Sequence, residues 1–169
     1  MNIHPAFVHF PVAFLTIYAL CEIIPFSRFF PRVQWNSIKT FLVTIGFLGA
    51  ISGLLTGQFA EELFKDPMTR RLIGVHENFA YITTIISGVL ALAYIIRLII
   101  QEYPGFLGGA VVKFKLFQWF SDFILGSAIR TILAVLGLAA ITVTGALGGA
   151  IAYGPDTDPA VKFIYSLFF

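Results

Sequence analysis

Charge is scarce in this chain of 169 residues: Asp, Glu, Lys and Arg make up 12% of it, the apolar set makes up 58%, and the mean hydropathy is +0.88. An ordinary soluble domain carries about 25% charged residues, so this chain has too little polar surface to cover itself. That points to an integral membrane protein. Cysteine is nearly absent: Cys21 alone excludes an internal disulfide, every cysteine-pair metal motif and the Cys-x-x-Cys-His attachment of a c-type haem. Charge of one sign is not in excess either, because 11 Lys and Arg against 9 Asp and Glu leave +2, which implies neither an acidic partner nor a nucleic acid. The first apolar run has no basic segment before it and no small-residue cleavage site, so it reads as a retained span. No Ser, Cys or Lys stands beside a histidine at a spacing suited to a nucleophile, which argues against an enzyme. No charge sits mid-span and no inverted repeat is evident, which argues against a transporter.

What is abundant is apolar sequence in long runs. A helix needs about 20 apolar residues to cross a hydrocarbon core, and four such runs cover about residues 7–26, 38–60, 76–99 and 128–153. Together they predict one domain over residues 1–169: an all-α membrane protein, its four transmembrane helices in an up-down-up-down bundle. Pro5, Pro11 and Pro25 punctuate span one, and Asn36 and Ser37 are candidate N-caps of span two behind an interfacial Trp35. Asp66-Pro67 reads as N-cap plus N1 proline of the third helix, and Gly154-Pro155 ends the fourth. Lys113 to Leu125 has the spacing of a short interfacial helix before span four, with Lys115, Gln118 and Asp122 opposite Leu116, Phe117, Phe120 and Ile124. The aromatic tail from Ala160 to Phe169 reads as a short C-terminal interfacial segment. Glu22 and Arg97 are expected to snorkel from the span ends, Glu22 towards Arg28 or Lys39.

Seven Lys and Arg fall on the side of the first and third loops and four on the other. The bias predicts that both termini and the second loop lie outside. The same topology gathers His4, His9 and His76 at the outer end, with Glu61, Glu62 and Glu77 beside them. Spans one and three would be diagonal neighbours roughly 11–14 Å apart. That separation suits a porphyrin iron with two axial imidazoles. Gly53 and Gly57 on span two, with Gly145 and Gly149 on span four, would leave a slot for the flat ring. The expectation is a b-type haem held by His9 and His76, with His4 as the substitute for His9, exchanging electrons near the outer face. Glycines at four-residue spacing are equally a device by which membrane helices approach closely. His4 and His9 lie about 140° apart on a continuous helix and should not share a face.

Two other readings stay open. The three histidines with Glu61, Glu62 and Glu77 could hold a non-haem Zn, Fe or Mn ion, although those glutamates also suit helix ends. A cofactor-free structural subunit of a larger membrane complex, or a homo-oligomer, fits the same residues.

The opening His4-Pro5-Ala6-Phe7-Val8-His9-Phe10-Pro11 resembles the signature of a family of small bacterial four-span membrane proteins, catalogued as domain of unknown function twenty-two thirty-one. Gly57, His76 and the Thr144-Gly145-x-x-Gly148-Gly149-x-x-x-Tyr153 close are similar to that family's pattern. Family members are sometimes fused to Rieske or c-type cytochrome modules, so the resemblance implies electron-transfer company. Here it implies a separate redox protein on the outer face of a bacterial inner membrane. The tail through Lys162 to Phe169 departs from common members.

Overall fold

The computed structural model describes residues 4–61, 64–102 and 115–169. Its helices are α1 (His4–Ile23), α2 (Phe26–Phe29), α3 (Trp35–Glu61), α4 (Pro67–Glu102), α5 (Lys115–Ile124), α6 (Ser127–Tyr153) and α7 (Pro159–Ser166). Four of them, α1, α3, α4 and α6, are long and apolar enough to cross a membrane. The protein is an all-α membrane protein.

Local chemistry explains most of the helix ends. The first long helix stops at Ile23, short of the expected residue 26, because Pro25 restricts the residue before it and offers no N–H. Its carboxylate makes Asp66 the N-cap of α4, accepting from Thr69 N at 2.8 Å and Thr69 Oγ1 at 2.9 Å, with Pro67 as the first helical residue. Those two bonds hold the Asp66 carboxyl below its usual range. After α6, Gly154 takes φ +93°, a conformation that suits glycine, and its N–H bonds the Ala150 carbonyl. Asp158 caps α7 by accepting from Ala160 N and Val161 N. In α3, Asn36 and Ser37 are not the caps expected: the helix begins ahead of them at Trp35, whose indole donates to the Phe30 carbonyl and stacks on Phe26.

Helix α1 packs on α3 and α6, and α4 packs on the same two. The ring so formed puts α1 and α4 on a diagonal. Contacts between helix ends fix the relative directions: His4 meets Thr56 and Glu22 meets Lys39, so α1 and α3 run antiparallel. Leu15, Tyr18, Val43, Leu90, Ala93 and Ala134 belong to the main core, and Leu72, Leu147, Ala150 and Val161 form a second cluster. Large apolar side chains such as Phe41, Leu55, Ile85 and Ile132 face outward, as the hydrocarbon surroundings of a membrane span allow.

The seam between α1 and α3 is made by glycine. A Cβ built on Gly46 would fall 2.5 Å from Leu15 Cδ2, one on Gly49 2.9 Å from Pro11 Cδ, and one on Gly53 3.7 Å from Val8 Cγ1. Close helix approach is therefore what Gly46 and Gly49 serve, whereas a Cβ at Gly53 would make an ordinary contact. Pro11 sits inside α1 without ending it and is buried at this seam.

Of the expected interfacial helix, Lys113 lies outside the described residues and Lys115–Ile124 is α5. Ser121 Oγ donates to the Ala93 carbonyl at 3.0 Å and Arg97 pairs with Asp122 at 2.9 Å, which fastens α5 to α4. Arg97 is thus paired rather than simply snorkelling. Ile124 is buried, but Leu116 and Phe117 stay exposed with Trp119 and Phe123, so the apolar face that meets the bundle is smaller than the spacing suggested.

Candidate functional site

Two polar clusters occupy opposite ends of the bundle. At the first, α1 and α4 each contribute an imidazole, and α3 and α6 supply the surfaces on which the rings rest. The His4 ring lies over Gly57, where a Cβ would come 3.3 Å from His4 Cε1, and the His76 ring lies over Gly148, where it would come 3.2 Å from His76 Cε1. A side chain at either position would press on the ring above it, which would have to give by a few tenths of an ångström. Thr56 Oγ1 donates to the Ser52 carbonyl at 2.9 Å and lies 3.0 Å from His4 Nδ1. His76 Nδ1 donates to the Thr144 carbonyl at 2.9 Å. The carbonyl partner assigns His76 the Nδ1–H tautomer, with the lone pair on Nε2, and His4 is oriented through the same nitrogen. Partial burial holds the His4 imidazole below its usual value, against a hydrogen bond to the Gly53 carbonyl that raises it. The two rings are within electrostatic reach of one another.

The structure therefore places His76 and His4, and not His9, at the facing positions of this end. His9 is exposed, about 140° around α1 from His4, because the helix runs on through Pro11 without an irregular first turn. Three of the four glycines expected to line a slot face protein, Gly57 meeting His4, Gly53 meeting Val8 and Gly149 meeting Val161 of α7 at 3.4 Å, whereas Gly145 is exposed and open. Two imidazoles match the axial set of a haem iron, while the contacts at Gly57, Gly53 and Gly149 narrow the room for a flat ring on those faces. Glu61 and Glu77 are half-buried and Glu62 lies outside the described residues. Among the described residues no group of three or more His, Cys, Asp or Glu could hold a metal ion.

In the second cluster Glu22 pairs with Lys39, one of the two partners expected for it, while its burial and its contacts with Arg130 and Tyr94 were not foreseen. Glu22 is read from sequence as a snorkelling residue, yet its side chain is 0% exposed. Its Oε2 meets Lys39 Nζ at 2.9 Å and Arg130 Nε at 2.8 Å, and its Oε1 accepts from the Tyr94 hydroxyl. The Tyr18 ring packs edge-on to Tyr94 at 6.0 Å, with its hydroxyl buried beside the cluster. One carboxylate thus ties α1 to α3, α4 and α6. A usable signal was present: Lys39 and Arg130 each fall within the first turns of a span, at the level where α1 ends.

A cavity of about 20 Å³ near the centre of the bundle is lined by Leu15, Tyr18, Thr83, Ser87 and Leu90 among others, room for about one water. The hydroxyls of Thr83 and Ser87 bond backbone carbonyls of their own helix.

The family model described as Predicted membrane protein (DUF2231) matches residues 1–157. No curated protein and no solved structure matches the chain. Helix α7 starts at Pro159, beyond the matched residues.

Proposed function

For this chain, which belongs to the DUF2231 family of predicted membrane proteins, we propose a membrane-embedded metal-binding function, with His4 and His76 as the protein ligands. One observation carries the reading: both imidazoles are held through Nδ1 by oxygens fixed in the bundle, which orients Nε2 as metal-binding histidines require. Two imidazoles, with no metal-binding group of three among the described residues, suit an ion that accepts low coordination. Imidazole suits copper, and monovalent copper is stable with two nitrogen ligands. Thr56 and the Thr144 carbonyl then act as the outer partners that fix ring orientation.

A second reading is a haem iron, whose ring brings four of its six ligands and leaves two for histidine. The donor count favours it and the contacts at Gly57, Gly53 and Gly149 oppose it, so the bare ion is preferred. Under the haem reading the protein would exchange electrons at this end.

The test is metal and pigment analysis of the purified protein, followed by titration with monovalent copper against a colorimetric chelator. Expected are one ion per chain and no Soret band. His4→Ala and His76→Ala should each weaken binding by more than tenfold, Thr56→Val by about tenfold, and His9→Ala not at all. Loss on His9→Ala with retention on His4→Ala would sink the assignment. A Soret band abolished by His76→Ala would replace the ion with haem.

A further inference from the structure

The cluster around Glu22 does not balance. Two cations, Lys39 and Arg130, meet a single carboxylate oxygen, and a surplus positive charge remains between spanning helices. In apolar surroundings an uncompensated charge is costly. Among the described residues no other acid pairs with these cations: Asp122 is paired with Arg97, and Glu102 is exposed at the end of α4. Nearby Arg28 and Arg32, both exposed, add further positive charge.

Both cations retain donors. Arg130 Nε lies 2.8 Å from Glu22 as an ion pair without an aligned hydrogen bond, and its guanidinium carries four further N–H groups; Lys39 has three N–H donors and directs one to Glu22. Their side chains are 27% and 12% exposed, so the pair opens outward at a span end while the carboxylate behind it is sealed. Sharing one oxygen holds the two cationic groups side by side. Trp35 lies one helical turn before Lys39 and stacks on Phe26 at 5.6 Å, an aromatic at the depth where headgroups begin.

We propose that Lys39 and Arg130 form a binding site for the phosphate of an anionic phospholipid in the leaflet at this end of the bundle. The guanidinium supplies directional donors to phosphate oxygens and the ammonium a point charge. Glu22 holds both in place and sets the size of the surplus. Neutralising either cation leaves a balanced pair and removes the attraction, whereas neutralising Glu22 doubles it.

Trp35 reports on the site directly. In a Trp119→Phe background it is the single tryptophan of the chain, and its emission is followed in detergent micelles titrated with phosphatidylglycerol, phosphatidylcholine or inorganic phosphate. Saturable change is expected with phosphatidylglycerol only. Lys39→Gln and Arg130→Gln should each weaken it about fivefold or more, Lys39→Arg should keep it, and Glu22→Gln should tighten it. Because the variants move affinity in opposite directions, a general loss of folding cannot imitate the pattern. An equal response to phosphatidylcholine, no effect of either cation variant, or saturation by inorganic phosphate at the same concentration would overturn the proposal.

Discussion

Replacing Gly49 by alanine tests whether the α1–α3 seam depends on the absence of a side chain. The added Cβ would fall 2.9 Å from Pro11 Cδ, 3.2 Å from Pro11 N and 3.3 Å from Phe10 Cβ. A ring atom and a backbone nitrogen cannot rotate aside, so α1 must shift away along the seam. Overpacking of this kind costs about 1–3 kcal/mol. Alanine also gains about 1 kcal/mol of helix propensity over glycine, which would blur a single measurement. Gly145→Ala supplies the reference, because nothing stands within 4 Å of its Cβ. The propensity gain is common to both and cancels in the difference. Gly49→Ala should therefore be less stable than Gly145→Ala by about 1–3 kcal/mol, a shift of roughly fivefold to 150-fold in the folded ratio. Reversible unfolding in mixed micelles, followed by circular dichroism, reads that difference. Equal stability of the two variants would refute the account of the seam.

Glu22→Ala leaves Lys39 and Arg130 facing each other inside the bundle and should cost about 3–5 kcal/mol in the same unfolding assay, as breaking a buried pair does. Asp158→Ala removes the α7 cap and should cost about 1 kcal/mol locally, seen as faster cleavage of the tail by limited proteolysis. The Asp66 carboxyl is held below its usual range by Thr69, so its contribution is full above the unfolded value of about 3.9 and disappears as pH falls through the lower folded one. Hydrogen exchange in the first turn of α4 should rise over that acid window, relative to the intrinsic exchange rate, and Asp66→Ala should remove the rise. With the group fully exposed the effect is small.

Where a residue's role follows from its immediate neighbours in the chain, sequence was enough. Asp66 and Pro67 start a helix, Gly154 ends one, and the four spans follow from their apolar length alone. What escaped depends on which helices flank a position. Glu22 at a span end is compatible with snorkelling until Lys39 and Arg130, 17 and 108 positions away by number, close over it. The glycine repeats have the same spacing whether they admit a ligand or a neighbouring helix; Leu15, Pro11 and Val8 decide the matter on α3. His4 and His9 were separable only by angle. A continuous α1 turns His4 towards Thr56 and leaves His9 outside.

His76 and Tyr94 lie on the same stripe of α4, about five full turns apart. One meets the imidazole pair and the other the buried carboxylate. A twist of this single rod about its own axis would swing both side chains through the same angle, and a slide along it would lift both from their partners together. The two extremities of the molecule are thus set by one mechanical alignment, and whatever holds the phenol in place at the far end also aims the imidazole.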